Sequence, residues 1–209
     1  HVVCRRQRQM CIRDRFFLVG ASIAADSEVT LPHVGINPTR TGVIDILKLM
    51  GADIRLENQR DAGGEPVADL VVKAAPLKGI EIPEALVPLA IDEFPAIFIA
   101  AACAEGETIL RGAEELRVKE SDRIQVMADG LAALGVSHEV FEDGIRITGG
   151  KFGGGEVQSH GDHRIAMSFA MAALRATGPI TIHDCANVAT SFPGFAQLAT
   201  HAGLKLEVK

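Results

Sequence analysis

Residues 94–110 read FPAIFIAAACAEGETIL. The stretch from Phe94 to Ala104 is almost entirely apolar and is long enough for a buried helix. Gly106 follows as a turn signal, and residues 107–110 then alternate between polar and apolar side chains, as a strand with one buried face does. The sequence therefore predicts a buried helix that passes directly into a strand.

This helix–strand pattern occurs three times along the chain. The other two copies have apolar stretches at 16–25 and 165–176 and alternating stretches at 28–31 and 179–182. After each strand a polar loop leads to a second, amphipathic helix, which ends at a glycine suited to a left-handed C-cap: Gly51, Gly135 and Gly203. A further strand follows each glycine, at 52–56, 136–140 and 204–208. The repetition predicts α/β units that pack on one another.

Three further segments vary the spacing of the repeats. Residues 70–73 and 145–148 predict inserted, hairpin-like strands. Residues 149–155 are rich in glycine and predict a flexible connector. A phosphate-binding loop is the alternative there, but the segment lacks the Lys-Ser/Thr ending of a P-loop and its strand-to-helix context.

Composition excludes several classes of function. The 209 residues carry a net charge of −6 and include no Trp or Tyr, which argues against a general nucleic-acid binder. No apolar stretch approaches the length of a membrane-spanning helix. The four cysteines, Cys4, Cys11, Cys103 and Cys185, have no metal-ligand spacing and fit a reducing, cytoplasmic setting, with Cys103 a small core residue.

Residues 1–15 form a basic segment of a different kind. Regular patterning starts abruptly at Phe16. The segment has no apolar core suited to a signal peptide, and nucleic-acid or membrane attachment is one interpretation. The favoured interpretation is a non-native or disordered stub, left by cloning or by a mis-joined reading frame, in front of one domain at 16–209. Its arginines are Arg5, Arg6, Arg8, Arg13 and Arg15.

The charged run RVKESDR at 117–123 is the clearest functional signal. Ser121 or Asp122 can cap the helix that follows. Lys119, Glu120 and Arg123 then surround a helix N-terminus, where backbone N–H groups and the helix dipole favour anions. Two cations that flank a carboxylate indicate an anion site with a proton-transfer group. The alternative is an exposed cluster of i,i+3 and i,i+4 charges.

Polar residues also precede two of the apolar helices. Asp92 and Asp162 are each either a helix N-cap or a functional carboxylate, and Glu93 suits the first turn of its helix. Arg164 opposes the dipole of its helix, which costs roughly a few tenths of a kcal/mol unless an anion is its partner. His163 can donate to the same anion, although a capping or core role is nearly as good an explanation.

The first repeat has Thr39, which suits a helix cap, and Arg40, which suits a surface or interdomain charge. If the repeats pack so that the helix starts bearing these charges converge, one pocket contains three cations and two carboxylates: Lys119, Arg123, Arg164, Asp92 and Glu120. Such a pocket is equipped for acid–base chemistry on a phosphorylated or carboxylated substrate.

Four segments resemble the EPSP synthase (3-phosphoshikimate 1-carboxyvinyltransferase) family, in order and in spacing, and the likeness extends from about Phe16 to the end. They are IDEFP at 91–95, LRVKESDR at 116–123, GDHRIAM at 161–167 and ATSFPGF at 189–195. The sequence around Asp92 and Thr190 is similar to that of the class II bacterial form, which is often described as tolerant of glyphosate. The resemblance implies the C-terminal domain of a two-domain enzyme, made of three βαβαββ-type units in an inside-out α/β barrel.

The resemblance also implies a reaction, in which the enolpyruvyl group of phosphoenolpyruvate moves to the 5-hydroxyl of shikimate 3-phosphate and phosphate is released. No metal or organic cofactor is implied. Asp92 matches the proton acceptor and Glu120 the proton donor, and Asp92 and Lys119 match contacts of shikimate 3-phosphate. Arg123 and Arg164 match phosphoenolpyruvate ligands, with His163 as a neighbour.

The chain departs from the family pattern in two ways. Thr190 stands where some members have a phosphoenolpyruvate-binding lysine, so no ligand role is assigned to it. The motifs of the N-terminal domain, which completes both substrate sites, are not found, and the isolated half is therefore expected to be inactive. Two alternatives remain: a transferase that acts on UDP-N-acetylglucosamine, and a non-catalytic α/β interaction domain or remnant.

Overall fold

The computed structural model describes residues 15–208, so Cys4, Cys11 and the predicted stub up to residue 14 lie outside the described residues. A first helix, α1, includes residues 15–23. The other helices are α2 (Gly42–Leu49), α3 (Val87–Ala90), α4 (Phe94–Cys103), α5 (Arg123–Ala133), α6 (His163–Ala172), α7 (Ala186–Ser191) and α8 (Phe195–His201). The strands are β1 (Glu28–Gly35), β2 (Asp53–Asp61), β3 (Pro66–Lys73), β4 (Glu107–Leu110), β5 (Ser137–Phe141), β6 (Gly144–Thr148), β7 (Gly155–Gln158) and β8 (Ile180–His183). Short 3₁₀ turns occupy Pro38–Arg40, Glu84–Leu86 and Glu114–Val118.

The first two repeats have the same antiparallel three-stranded sheet. The strand orders are β1-β3-β2 and β4-β6-β5. In the first sheet Glu28 and Asp53 both pair with Lys73, and in the second Glu107 and Ser137 both pair with Thr148. The two strands predicted as hairpin insertions are therefore the central strands of their sheets.

The third repeat is smaller. Its sheet has two strands, and β7 pairs with β8 in parallel. The predicted strand at 204–208 is wrong, because neither edge of this sheet pairs with those residues and their backbone forms no strand. The glycine-rich connector is closely packed, since a Cβ on Gly154 would lie 2.2 Å from the Pro179 carbonyl oxygen.

Three helices end in the predicted glycine caps. Gly51, Gly135 and Gly203 have φ angles of 95°, 79° and 100°, which favour glycine. The residue after each glycine donates its N–H to a carbonyl five residues earlier at 2.9 Å, and the glycine itself donates three residues back. This pair of bonds is the Schellman motif, and it turns the chain out of each helix. Before the second helix of the first repeat, Asn37 caps the 3₁₀ turn Pro38–Arg40, because its side chain accepts from the Thr39 N–H. The N-cap residue of α2 is Thr41, so the prediction of a Thr39 cap is wrong. Arg40 is exposed, as predicted for a surface charge.

The apolar helices form the core, and the sheets lie outside them. Almost every residue of α4 and α6 is buried, and α1 contributes Phe16 and Leu18. The helices approach closely: a Cβ on Gly130 of α5 would lie 2.2 Å from the Phe169 ring of α6. The predicted α/β fold is confirmed, with helices inside and sheets outside. Among the described residues, no helix could cross a membrane.

Candidate active site

Three helix starts meet at one place, and Arg123 lies at its centre. Arg123 is the first residue of α5 and is 0% exposed. Its guanidinium contacts three carboxylates: Nη1 lies 3.3 Å from Asp92, Nη2 lies 2.5 Å from Glu120, and Nε donates to Asp162 at 2.8 Å. Residues before α4, before α5 and before α6 are thus brought together, and the predicted convergence is confirmed.

Arg164, in the first turn of α6, has the anionic partner that its position requires. Its Nη2 lies 3.6 Å from the Asp92 carboxylate, and its Nη1 donates to the Asp92 backbone oxygen at 2.9 Å. Nη1 also lies 3.6 Å from Glu93. Burial lowers the pKa of Arg164 below its usual value, although Asp92 and Glu93 oppose that change. Two carboxylates therefore compensate the unfavourable position of this charge in the helix dipole.

Lys119 adds a third cation beside Asp92. The ammonium Nζ lies 3.8 Å from Asp92 Oδ1 and also contacts the Glu115 carboxylate. Partial burial raises the pKa of Asp92, but Arg164, Lys119 and Arg123 together outweigh it, so the pKa lies below its usual value. The Asp92 side chain is 46% exposed, and the charged carboxylate faces solvent on one side.

Glu120 and His163 complete the group of residues predicted from the sequence. The Glu120 side chain is 54% exposed, so solute molecules can reach the carboxylate. Burial, with the charge of Arg164, lowers the pKa of His163 below its usual value despite Asp162 and Glu120. His163 is therefore neutral near pH 7, with one ring nitrogen able to donate and the other able to accept.

Asp162 has a larger role than the sequence indicated. It caps α6, since Oδ1 accepts from the Arg164 N–H at 2.9 Å, as one interpretation predicted. Its Oδ2 also accepts from Arg123 Nε and, at 3.2 Å, from the Ser121 hydroxyl. Asp162 is fully buried, which raises its pKa, but Arg123 and the Arg164 N–H lower it overall. One carboxylate thus holds the Arg123 guanidinium and the backbone N–H of Arg164.

Of the other residues predicted near helix starts, Asp122 caps its helix, whereas the side chains of Asp92 and Glu93 form no capping bond. Asp122 caps α5 by accepting from the Gln125 N–H at 3.0 Å, so Asp122 takes the role that was left open with Ser121. Asp92 caps no helix, because the N-cap position of α4 is Glu93, whose side chain makes no capping bond. Glu93 is buried and ion-paired instead of lying in the first turn.

Two other sequence assignments can be compared with the structure. Arg15, placed in the predicted stub, lies in α1, where it contacts Glu93 and donates to the Arg40 carbonyl at 2.7 Å. Thr190 lies in α7 and is exposed. Within residues 15–208, no three His, Cys, Asp or Glu side chains are grouped so that they could hold a metal ion.

The cluster combines buried cations with reachable carboxylates. Arg123 is held by the buried Asp162 and Arg164 lies beside the buried Glu93, whereas Asp92 and Glu120 are about half exposed. The arrangement can attract an anionic ligand and exchange protons with it. Neither Asp162 nor Glu115 had a sequence signal beyond a helix-cap position and an i,i+4 spacing to a lysine.

Comparisons with known proteins agree with the fold. The family model of EPSP synthase (3-phosphoshikimate 1-carboxyvinyltransferase) matches residues 11–198. A core of helices with sheets packed outside it, and a charged cluster where three helices begin, define a domain of the enolpyruvyl-transferase type. The chain belongs to the EPSP synthase family.

The curated relatives bear the family name. A 3-phosphoshikimate 1-carboxyvinyltransferase of Alkalilimnicola ehrlichii is 71% identical over 192 residues, which are 91% of this chain and 43% of the relative. One of Nitrosococcus oceani is 69% identical over 191 residues, again 91% of this chain and 43% of the relative. The chain thus spans less than half the length of these relatives.

Solved structures give the same result. An EPSP synthase from Acinetobacter baumannii superposes with a TM-score of 0.92 at 63% identity, over 94% of this chain and 46% of that one. The enolpyruvyl transferase NikO from Streptomyces tendae has a TM-score of 0.71 at 21% identity, over 92% of this chain and 42% of that one, which shows a shared fold.

Proposed function

We propose that this chain is the C-terminal half of an enzyme that transfers the enolpyruvyl group of phosphoenolpyruvate to the 5-hydroxyl of shikimate 3-phosphate. The observation that carries the proposal is the contact of Arg123 with both Asp92 and Glu120, two reachable carboxylates that precede different helices. The names of the family model and of the relatives support the choice of substrates. A cytoplasmic location, where a biosynthetic enzyme of this kind would act, belongs to the same proposal.

The reaction needs one proton acceptor and one proton donor. In our proposal Asp92 takes the proton of the attacking hydroxyl and Glu120 delivers a proton to the methylene carbon of phosphoenolpyruvate, which gives a tetrahedral ketal. Glu120 then takes a proton back from the new methyl group as the bond to phosphate breaks, which restores the carbon–carbon double bond, and the proton held by Asp92 leaves with the phosphate. The pKa of Asp92 is lowered by three neighbouring cations in the free site. Two bound anionic substrates would offset those cations and raise that pKa, so that Asp92 becomes a better base when the substrates are present.

In the same proposal, each cation of the site binds one of the two substrates. Lys119 contacts shikimate 3-phosphate together with Asp92, and Arg123 and Arg164 bind the carboxylate and phosphate of phosphoenolpyruvate, with His163 beside them. Planar guanidinium groups suit both anions, because they donate two parallel hydrogen bonds. The buried Asp162 holds the Arg123 side chain ready for this role.

The second half of the site belongs to a partner domain in this proposal. Asp92 and Glu120 face solvent here, and ion pairing with a ligand is weak where water competes. A closing N-terminal domain would exclude that water and add ligands of its own. We therefore expect the isolated chain to bind both substrates weakly and to release negligible phosphate.

The test restores the missing half. The N-terminal portion of the Alkalilimnicola ehrlichii relative is joined to residues 16–209, and phosphate release is measured with both substrates. We expect turnover by this two-domain protein, and its loss in Asp92→Asn and Glu120→Gln variants that retain their circular dichroism spectra. Turnover with UDP-N-acetylglucosamine but not with shikimate 3-phosphate would contradict the proposed substrate. Unchanged turnover in both variants would contradict the proposed site.

A further inference from the structure

Lys119 has a carboxylate partner that the proposed mechanism does not use. The Glu115 side chain contacts the Lys119 ammonium across the 3₁₀ turn Glu114–Val118. The Glu115 side chain is 61% exposed, whereas the Lys119 side chain is 22% exposed. Glu115 therefore lies at the outer rim of the site, over a lysine that is mostly covered.

Lys119 differs from the two arginines in how it is held. Arg123 is fixed by the buried Asp162, which no ligand could displace without breaking the cap of α6. Lys119 has only Glu115 and, at 3.8 Å, Asp92 as carboxylate partners in the described part of the chain. Asp92 is already engaged by both arginines. Of the two carboxylate partners of Lys119, the exposed Glu115 is thus the one whose displacement costs the least free energy.

An anion that arrives at Lys119 must compete with Glu115. Two negative groups beside one ammonium repel each other, so a phosphate group either displaces the Glu115 carboxylate or binds against its charge. An exposed ion pair is weak enough to be broken by a ligand with further contacts. A small inorganic anion has few further contacts and meets the same competition.

We propose that Glu115 is a displaceable counter-ion of Lys119, a residue that lowers the affinity of the site for anions by occupying the ammonium when no ligand is bound. The inference deepens the proposed function, since it assumes that Lys119 meets a phosphorylated ligand. Glu115 keeps free inorganic anions from filling the site, whereas a substrate that also contacts other residues of the site displaces it. Glu115 is a positioning residue and has no part in proton transfer.

Glu114 provides a matched control. It is the neighbouring residue, is exposed, and forms no ion pair or side-chain hydrogen bond within the described residues. Glu114→Gln and Glu115→Gln change the net charge equally, so a difference between the two variants reports the pairing with Lys119. Since both side chains are exposed, neither variant is expected to change the circular dichroism spectrum.

The first experiment uses the 209-residue chain and inorganic phosphate. Phosphate is titrated while the Lys119 side-chain signals are followed by nuclear magnetic resonance. We expect Glu115→Gln to lower the half-saturation concentration roughly two- to fivefold, as the strength of exposed ion pairs suggests, and Glu114→Gln to leave it near the unsubstituted value. Equal effects of the two variants, or no effect of either, would overturn the proposal.

The second experiment uses the two-domain protein and shikimate 3-phosphate. By calorimetry we expect Glu115→Gln to lower Kd by roughly the same factor, with a steeper dependence on salt, and to lose this effect in a Lys119→Gln background. Weaker binding would show that Glu115 contacts the ligand directly and would overturn the proposal. If the unsubstituted two-domain protein binds no shikimate 3-phosphate, the proposed function fails, and the phosphate titration still decides the role of Glu115.

Discussion

Arg123 and Asp162 form an ion pair of 2.8 Å in which neither side chain is exposed by more than 1%. The pair joins the first residue of α5 to the cap of α6, so it fixes the mutual position of the two helix starts that carry the arginines of the site. A buried charge that loses its partner is strongly destabilising, which makes this pair the part of the site on which stability depends most.

Replacement of Asp162 should separate its two roles. Asn can still cap α6 but leaves Arg123 without its buried counter-charge, so Asp162→Asn should lower the free energy of unfolding by about 3 kcal/mol. Asp162→Ala should cost about 1 kcal/mol more, because the cap is also lost. Urea unfolding of the chain measures both. Asp129→Asn on the exposed face of α5 is the control and should stay within about 0.5 kcal/mol. Equal stability of Asp162→Asn and the unsubstituted chain would contradict this account.

The pKa of Asp92 should respond to its cations. Among the charges that lower it, Arg164 has the largest effect, so Arg164→Gln should raise the pKa of Asp92 toward its usual value. Carboxyl carbon chemical shifts during a pH titration report the change. Arg111→Gln, which removes a cation paired with Asp143 instead, is the control and should leave Asp92 unaffected. An unchanged pKa in Arg164→Gln would refute the electrostatic assignment.

The same cluster predicts sensitivity to acid. Asp92 and Asp162 both have pKa values below the usual 3.8 in the folded chain. The unfolded chain therefore binds more protons at low pH, so these groups contribute stability above pH 3.8 and lose it as the pH falls through their folded values. The free energy of unfolding should fall less steeply as the pH drops below 3.8 in Asp162→Asn than in the unsubstituted chain. Identical slopes would argue against a lowered pKa for Asp162.

Arg117 should hold the Lys119–Glu120 segment in place. Its guanidinium donates to the Glu142 carbonyl at 2.6 Å, to the Phe141 carbonyl at 2.5 Å and to Asp122 at 2.8 Å. Arg117→Gln should cost about 2 kcal/mol, because charge-assisted bonds to the β5–β6 turn are lost. Amide hydrogen exchange at residues 118–122 should become faster, whereas exchange in α2 should not. If amide hydrogen exchange became faster by the same factor throughout the chain, the substitution would have caused a general loss of stability instead.

The contact between Gly130 and Phe169 should be intolerant of added volume. A Cβ at Gly130 would lie 2.2 Å from the Phe169 ring, so Gly130→Ala should destabilise by about 1–3 kcal/mol even though Ala is the better helix former. Phe169→Leu in the same chain should recover part of the loss, since the smaller side chain makes room. Thermal unfolding of the two single variants and the double variant measures this coupling. Strict additivity would mean that the two residues do not meet.

Local patterns in the sequence were sufficient for much of the fold. Apolar runs located α4 and α6, and the glycines at 51, 135 and 203 marked the helix ends, because both signals depend on neighbouring residues alone. The central position of β3 and β6 depends on pairing between distant strands, which periodicity does not encode. The predicted strand at 204–208 failed for the same reason, since a strand needs a partner edge.

The candidate site was predictable in its members but not in its connections. Arg164 stood out because a cation in the first turn of a helix requires an anion, and Asp92 is that anion. The second role of Asp162 could not be read from the sequence, because an N-cap aspartate looks the same whether or not an arginine from another helix lies beside it. Burial and long-range pairing decide that difference.

The charged side chains lie at the ends of helices that also make up the hydrophobic interior. Warming that loosens the interior should therefore dismantle the proposed anion-binding cluster at the same temperature, without a stage at which the chain is compact but unable to bind. Phosphate binding and the circular dichroism signal should disappear together on heating, and resistance to heat in this chain should set the upper temperature at which it can hold its ligands.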